Sequence, residues 1–388
     1  MTNDFESVDL RKAMETPVMR SIKSLISPLA LLMLLLTASH AHGFELRGYA
    51  DLNYARSFGN KGSIEENGAF MLGQLDLFMT QLIQNRIEVL AEAVIESDTE
   101  GNTEIDLERL QAGYVFNDWF KIHAGRFHNV LGYWNTAYHH GRIFQTTIAR
   151  PQFLAFEDRG GILPVHIVGV QVSGDIRTNP VLIDYAVIAG NGSHIEPDDI
   201  LGYALQPENT ADPNKNKAIS ANLTLWPVFL PGLGFGVSSD HGIVPAFDGS
   251  TLNAPKIAQV SQQILGGHFV YLNSGRSPVD FEFLSEYYSF RNKDTFSDTG
   301  SYWASAYYIQ GAIYILNRFI PYARYEHVNT RMDDPYFALL NTGDSIRKLV
   351  GIRFSQNVDS AIKAEVQWVD PEGQDHYTRY AVQWALAF

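Results

Sequence analysis

Seven of the chain's twelve histidines, His123, His128, His139, His140, His166, His241 and His268, are the side chains best suited to hold a metal ion or move a proton. His139 and His140 are adjacent. In an extended segment neighbours point to opposite faces, so the pair would not share one ion. There is no cysteine, hence no thiolate ligand or nucleophile and no disulfide framework. Neither a metal nor another cofactor is expected. Ser238-Ser239-Asp240-His241 places hydroxyl, carboxylate and imidazole in one short run. A catalytic triad converges in space, whereas consecutive strand residues diverge. The run sits at a strand end, where Asp and His are ordinary loop residues, so no catalytic residues and no enzyme are expected. A net charge of −14 argues against a nucleic-acid partner.

What remains is charge that alternates with apolar residues. In 86–96, Ile87, Val89, Ala91, Ala93 and Ile95 oppose Glu88, Glu92 and Glu96. Period two puts each set on one face of a strand. The same parity gives the polar faces the bases Arg47, Arg109, Arg324, Arg347, Arg353, Lys363 and Arg379, and acids that include Asp51, Asp76, Glu88, Glu92, Glu282, Glu286, Glu326 and Glu365. A soluble sandwich or solenoid would bury the apolar face instead and leave no reason for one face to collect so many charges. An oily outer face and a charged inner one suit a barrel wall between lipid and water.

The chain ends Tyr380-Ala381-Val382-Gln383-Trp384-Ala385-Leu386-Ala387-Phe388. This aromatic-capped alternation with a final Phe resembles the closing strand of Gram-negative outer-membrane proteins. Composition agrees: charged residues are 19%, aromatics 12%, and mean hydropathy is −0.12, so helical spans do not dominate. Segments of period two are predicted at 44–55, 69–83, 86–96, 105–116, 119–128, 165–175, 181–190, 217–226, 233–243, 260–272, 279–290, 301–315, 319–328, 345–355, 360–369 and 376–388. Long breaks follow odd-numbered segments and mostly short ones follow even-numbered segments, the outer-loop and periplasmic-turn asymmetry of bacterial barrels. Trp119, Phe120, Trp226 and Phe229 near short turns, and Tyr54, Tyr287, Tyr302, Trp303 and Trp368 near long loops, read as two interfacial belts. The fold expected is all-β: a transmembrane antiparallel barrel of about 16 strands with a long third outer loop.

Ahead of it, Leu25–Leu36 is an apolar run of about twelve residues, preceded by Arg20 and Lys23 and followed by small residues. An anchor needs roughly 20 residues. The pattern fits a signal peptide cleaved after Ala41 or Gly43. Residues 1–43 are therefore read as extension and leader, and 44–388 as the barrel.

By strand count, long third loop and terminal Phe, 44–388 resembles the Gram-negative porins. The resemblance implies a homotrimer in outer-membrane lipid that passes small hydrophilic solutes and ions, with the third loop folded into the lumen. In that loop, 129–164, His139, His140, Arg142, Arg150, Glu157, Asp158 and Arg159 are the candidate constriction residues. An outer lid touching only other loops is the alternative arrangement. The phosphate-selective porins are a more specialised likeness, but the mixed inner charges favour a general or mildly cation-preferring pore. Two other functions stand beside the open pore: a substrate-specific anion channel, and a barrel acting as adhesin or receptor with an incidental or plugged pore. Arg126, after Gly125, breaks the parity of its strand and marks a bulge or a foot of the loop.

Overall fold

Alternation over ten or more residues with no internal hydrophobic partner leaves a strand one stable arrangement, a closed sheet with no edge. A computed structural model describes residues 44–388 apart from 61–62, 98–102, 140, 156–160, 199–200, 207–211, 213–215, 250–253 and 273–276. Residues 1–43, read above as extension and leader, and His140, Glu157, Asp158 and Arg159 lie outside the described residues. Arg47–Phe388 form one compact unit.

The strands are β1 (Phe44–Phe58), β2 (Ala69–Ile83), β3 (Ile87–Ser97), β4 (Thr103–Asn117), β5 (Phe120–His128), β6 (His166–Arg177), β7 (Val181–Asn191), β8 (Ile195–Asp198), β9 (Gly202–Leu205), β10 (Lys217–Pro227), β11 (Leu233–Phe247), β12 (Lys256–Tyr271), β13 (Val279–Asp294), β14 (Ser301–Ile315), β15 (Phe319–Asn329), β16 (Ser345–Asn357), β17 (Ser360–Pro371) and β18 (Tyr377–Ala387). Neighbours in sequence pair antiparallel, β7 passes directly to β10, and β18 returns to β1. The result is a closed antiparallel barrel of sixteen strands. The short β8–β9 hairpin is extra and lies in the predicted break 191–216. Every predicted segment has its strand, with bounds moved by at most four residues.

The seam is closed by Gly48 N to Phe388 O (2.8 Å) and Phe388 N to Gly48 O (2.9 Å). Gln84 and Asn85 both take positive φ, 52° and 56°. That is the turn form whose twist matches the strands it joins.

The two faces separate as the alternation requires. Leu110, Tyr114, Phe116, Val237, Ile309, Trp303, Val382 and Trp384 are exposed, whereas Asp51, Glu282, Gln310, Lys363, Glu365 and Gln383 are buried. Exposed large apolar residues ringing an isolated chain suit lipid contact. Trp226 departs from the expected belt. It turns inward, donating to Asp184 Oδ2 (2.5 Å) and facing Tyr133 (6.3 Å between rings).

Part of the interior is apolar. Helical turn α1 (Trp134–Ala137) and Leu131, Phe153, Leu154, Ile162 and Leu163 pack on Tyr288, Phe290 and Tyr308 of the wall. Tyr336 and Phe337 of the short helix α2 (Pro335–Leu339) complete this cluster. Asp334 caps α2 by accepting from Tyr336 N (2.9 Å), and Pro335 opens it, a start signal carried by Asp-Pro itself.

Candidate functional site

Alternation on β13, β15, β16 and β17 presents a set of inward charges, and segment 129–165 meets them with its backbone. Glu286 Oε1 accepts from Tyr133 N (2.7 Å) and Trp134 N (2.6 Å). Glu282 accepts from Thr146 Oγ1 at 2.9 Å through both oxygens. Glu365 accepts from Ile148 N (2.9 Å) and Ala149 N (3.3 Å), and Glu326 from Gln152 N (2.6 Å). The bases take the carbonyls. Arg353 Nη1 donates to Ile143 O (2.7 Å) and Gln145 O (3.1 Å). Lys363 Nζ donates to Arg142 O (2.6 Å) and Thr147 O (3.1 Å). Arg324 Nη2 donates to Ala149 O (2.9 Å) and Arg150 O (2.8 Å), and Arg347 Nη2 also reaches Arg150 O. An irregular segment cannot satisfy its own peptide groups. Here the wall's charges supply the missing partners, and charge-assisted bonds are the strong kind.

The other inward charges pair along the wall. Arg109 Nε meets Glu92 Oε2 at 2.5 Å. Arg324 and Arg347 flank Glu326 at 2.7 and 2.9 Å. Arg379 holds Glu65 of the first outer break through two bonds of 2.8 Å. Glu88 meets His123 Nε2 (3.0 Å). Asp51 accepts from Asn53, Gln74 N and Gln383 (2.6, 3.2 and 3.2 Å). Asp76 is buried on β2 and Arg47 is exposed on β1. Arg150 is buried and reaches Gln74 Oε1 (3.4 Å). Lys363 and Glu326 have no exposed surface, whereas Arg109 keeps 22% of its side chain open and Arg379 23%.

Burial raises Tyr133, up to about 12, and lifts Tyr138 well above the usual phenol range. Both phenols in the segment are therefore neutral.

Several partners carry no linear signal. Thr146, Thr147, Gln152 and Gln310 are polar residues without a motif, and half of the tether acceptors are backbone carbonyls. The Ser-Ser-Asp-His run does not converge. Ser238 Oγ accepts from Gly132 N (3.2 Å) and Asp240 Oδ2 accepts from Asn129 Nδ2 (3.2 Å) and Ser220, while His241 is exposed. Arg126 is buried rather than outward, with Nη1 donating to Leu107 O (2.6 Å) and Nη2 3.0 Å from His166 Nδ1. Gly125 lies at φ 142°, and Arg126, Phe127 and His128 are then buried in succession.

With sixteen strands closed and an inner segment clasped by charges, the architecture is that of the outer-membrane porins. Similar solved structures include the outer-membrane channel DcaP of Acinetobacter baumannii (TM-score 0.59, 10% identity, 89% of this chain and 97% of that one). The anion-selective porin of Comamonas acidovorans gives 0.56 at 12% identity, over 89% and 99%. OmpF of Salmonella typhi, in complex with daunomycin, gives 0.56 at 10%, over 89% and 97%. No family model and no curated protein matches the sequence.

Proposed function

We propose that the chain is a porin of a Gram-negative outer membrane, exported by the leader 1–43. It passes small hydrophilic solutes and ions passively through a barrel narrowed by segment 129–165. The observation that carries this reading is the clasping of that segment, mainly through its peptide groups, to Glu282, Glu286, Glu326, Arg324, Arg353, Lys363 and Glu365. Such a segment occupies lumen cross-section, and sixteen strands leave an aqueous channel to be narrowed. A homotrimer in lipid accords with the likeness to a Vibrio cholerae OmpT structure described as a trimer form.

A mixed inner wall fits a general pore better than an anion ladder. Arg324, Arg347, Arg353 and Lys363 are committed to the segment's carbonyls, and Arg109 and Arg379 face Glu92 and Glu65. A second reading, a barrel plugged in its resting form and serving as receptor, is favoured by one observation. Most inward charges are buried, and Trp134 and Phe153 pack on Tyr288 and Tyr308. Swelling of proteoliposomes in sugars of increasing size separates the two. Passage of monosaccharides with a cut-off below oligosaccharides supports the narrowed pore. Failure of every solute with the protein folded and inserted supports the plugged barrel.

A further inference from the structure

One cluster of ionisable side chains lies apart from the tethers above. In β4 the register skips a residue, since Glu92 pairs with Arg109 and Ala93 with Leu107. The extra residue of this bulge is Glu108, and it is buried. Around it stand His128 at the end of β5, His166 at the start of β6 and His139 of segment 129–165, all buried. His128 lies within 3.6 Å of Glu92 Oε2, which puts the group against the inner wall.

We propose that Glu108, His128, His139 and His166 form a binding site for one divalent transition-metal ion, clasping segment 129–165 to the wall between β4 and β6. Each residue offers one ligand atom, and the four atoms lie within 4.8 Å of one another. Metal–ligand bonds of about 2.0–2.1 Å at tetrahedral angles place ligand atoms roughly 3.3 Å apart. The distances from Glu108 Oε2 to His166 Nε2 (2.8 Å) and His139 Nε2 (3.7 Å) straddle that value. Three imidazoles and one carboxylate select zinc, cobalt or nickel over magnesium and calcium, which demand oxygen.

The shell behind the ligands supports the assignment. Asn135 Nδ2 donates to Asn129 O (2.8 Å) and Val165 O (3.0 Å), so its oxygen must face His139 Nδ1 (2.8 Å). This network assigns the proton to Nδ1 and directs the Nε2 lone pair at the cluster. Arg126 only donates, and its Nη2 lies 3.0 Å from His166 Nδ1. With Nδ1 facing Arg126, the His166 proton is placed on Nε2, which lies 2.8 Å from Glu108 Oε2. Ligation through Nε2 moves that proton to Nδ1 and turns Arg126 Nη2 away, with Nη1 still held on Leu107 O (2.6 Å).

Adjacent residues in an extended segment point apart, so His139 and His140 would not share one ion. His139 meets instead with residues 11, 27 and 31 positions away, which the fold brings to it.

The test is cobalt binding by the tag-free folded protein in detergent, stripped with EDTA, with zinc competition and visible absorption as readouts. One cobalt per chain is expected, with four-coordinate absorption bands displaced by zinc. Glu108→Gln, His139→Ala and Asn135→Ala, which removes the oxygen facing His139 Nδ1, should each weaken binding at least about tenfold. His376→Ala, at an exposed loop position, should leave it unchanged. Glu108→Gln keeps side-chain size, and resistance to trypsin verifies the fold of every variant. Wild-type protein that takes up no stoichiometric ion, or binding that survives both Glu108→Gln and His139→Ala, overturns the site and leaves a hydrogen-bonded clasp.

Discussion

Arg324 is the sharpest place to test whether the inner segment is held by its charges. The side chain has no exposed surface and makes two bonds to the segment's backbone, to Ala149 O and Arg150 O at 2.9 and 2.8 Å. Hydrogen bonds to charged groups contribute about 1.5–3 kcal/mol each, so the lower bound for losing both is about 3 kcal/mol. Removing one member of a buried ion pair costs about 3–5 kcal/mol when the other charge is abandoned. Here Glu326 keeps Arg347 (Nε 3.0 Å, Nη2 2.9 Å) and Gln152 N, which holds the estimate at its lower end. Three kcal/mol is about a hundredfold in the opening equilibrium at roughly 1.4 kcal/mol per tenfold. In Arg324→Ala, the amides of Ile148, Ala149 and Gln152 are therefore expected to exchange about a hundredfold faster, with the β13 and β14 amides unchanged. Hydrogen exchange read by mass spectrometry measures both. Arg324→Lys keeps the charge without the planar fork and should fall between. Equal exchange of the segment in wild type and Arg324→Ala would refute the tethering.

Further outcomes follow from particular geometries. Gly125→Ala puts a Cβ 2.0 Å from Leu110 O at a φ of 142°. Strain of about 1–3 kcal/mol should lower the urea midpoint of refolding, and an unchanged midpoint would show that β5 does not need the kink. Glu65→Gln replaces the carboxylate that Arg379 grips twice and should speed proteolysis in 59–68, whereas equal cleavage rates would contradict that anchor. Burial raises the Asp334 carboxyl above its usual range, so its folded form holds the proton more tightly than the unfolded chain. Its ionisation then weakens the α2 anchor as pH rises through that elevated range, and Tyr336 amide exchange should accelerate with pH beyond its intrinsic slope. Asp334→Asn should abolish the excess. An excess that persists in Asp334→Asn assigns it to another group.

The wall was readable because a strand's faces are set by period two and each break by its turn chemistry. Thus 69–83, 181–190 and 301–315 match their strands to within a residue. The inside was less so. The Glu108 bulge is one inserted residue, visible only when Glu92 and Arg109 are seen opposite each other. The cluster of His128, His139 and His166 forms when β5, β6 and the segment meet, which adjacency in sequence cannot report. Trp226 looked like a belt residue because its turn lies at the right height. Its position on the inward parity of β10, shared with Asn222 and Thr224, was the overlooked signal. The tethers escaped notice because all but the Thr146–Glu282 contact use a backbone group, which every residue possesses. The Asp334-Pro335 start of α2 lay inside a break read only as loop, and the Asp-Pro pair was passed over there.

A channel requires a water-filled path past segment 129–165. Single-channel recording of the folded protein in a planar bilayer under a potassium chloride gradient addresses it directly. Discrete conductance steps are expected, larger in Arg324→Ala than in wild type, with a reversal potential near zero or of cation-preferring sign. Inserted, trypsin-resistant protein that conducts in neither form would contradict the channel and leave the plugged barrel.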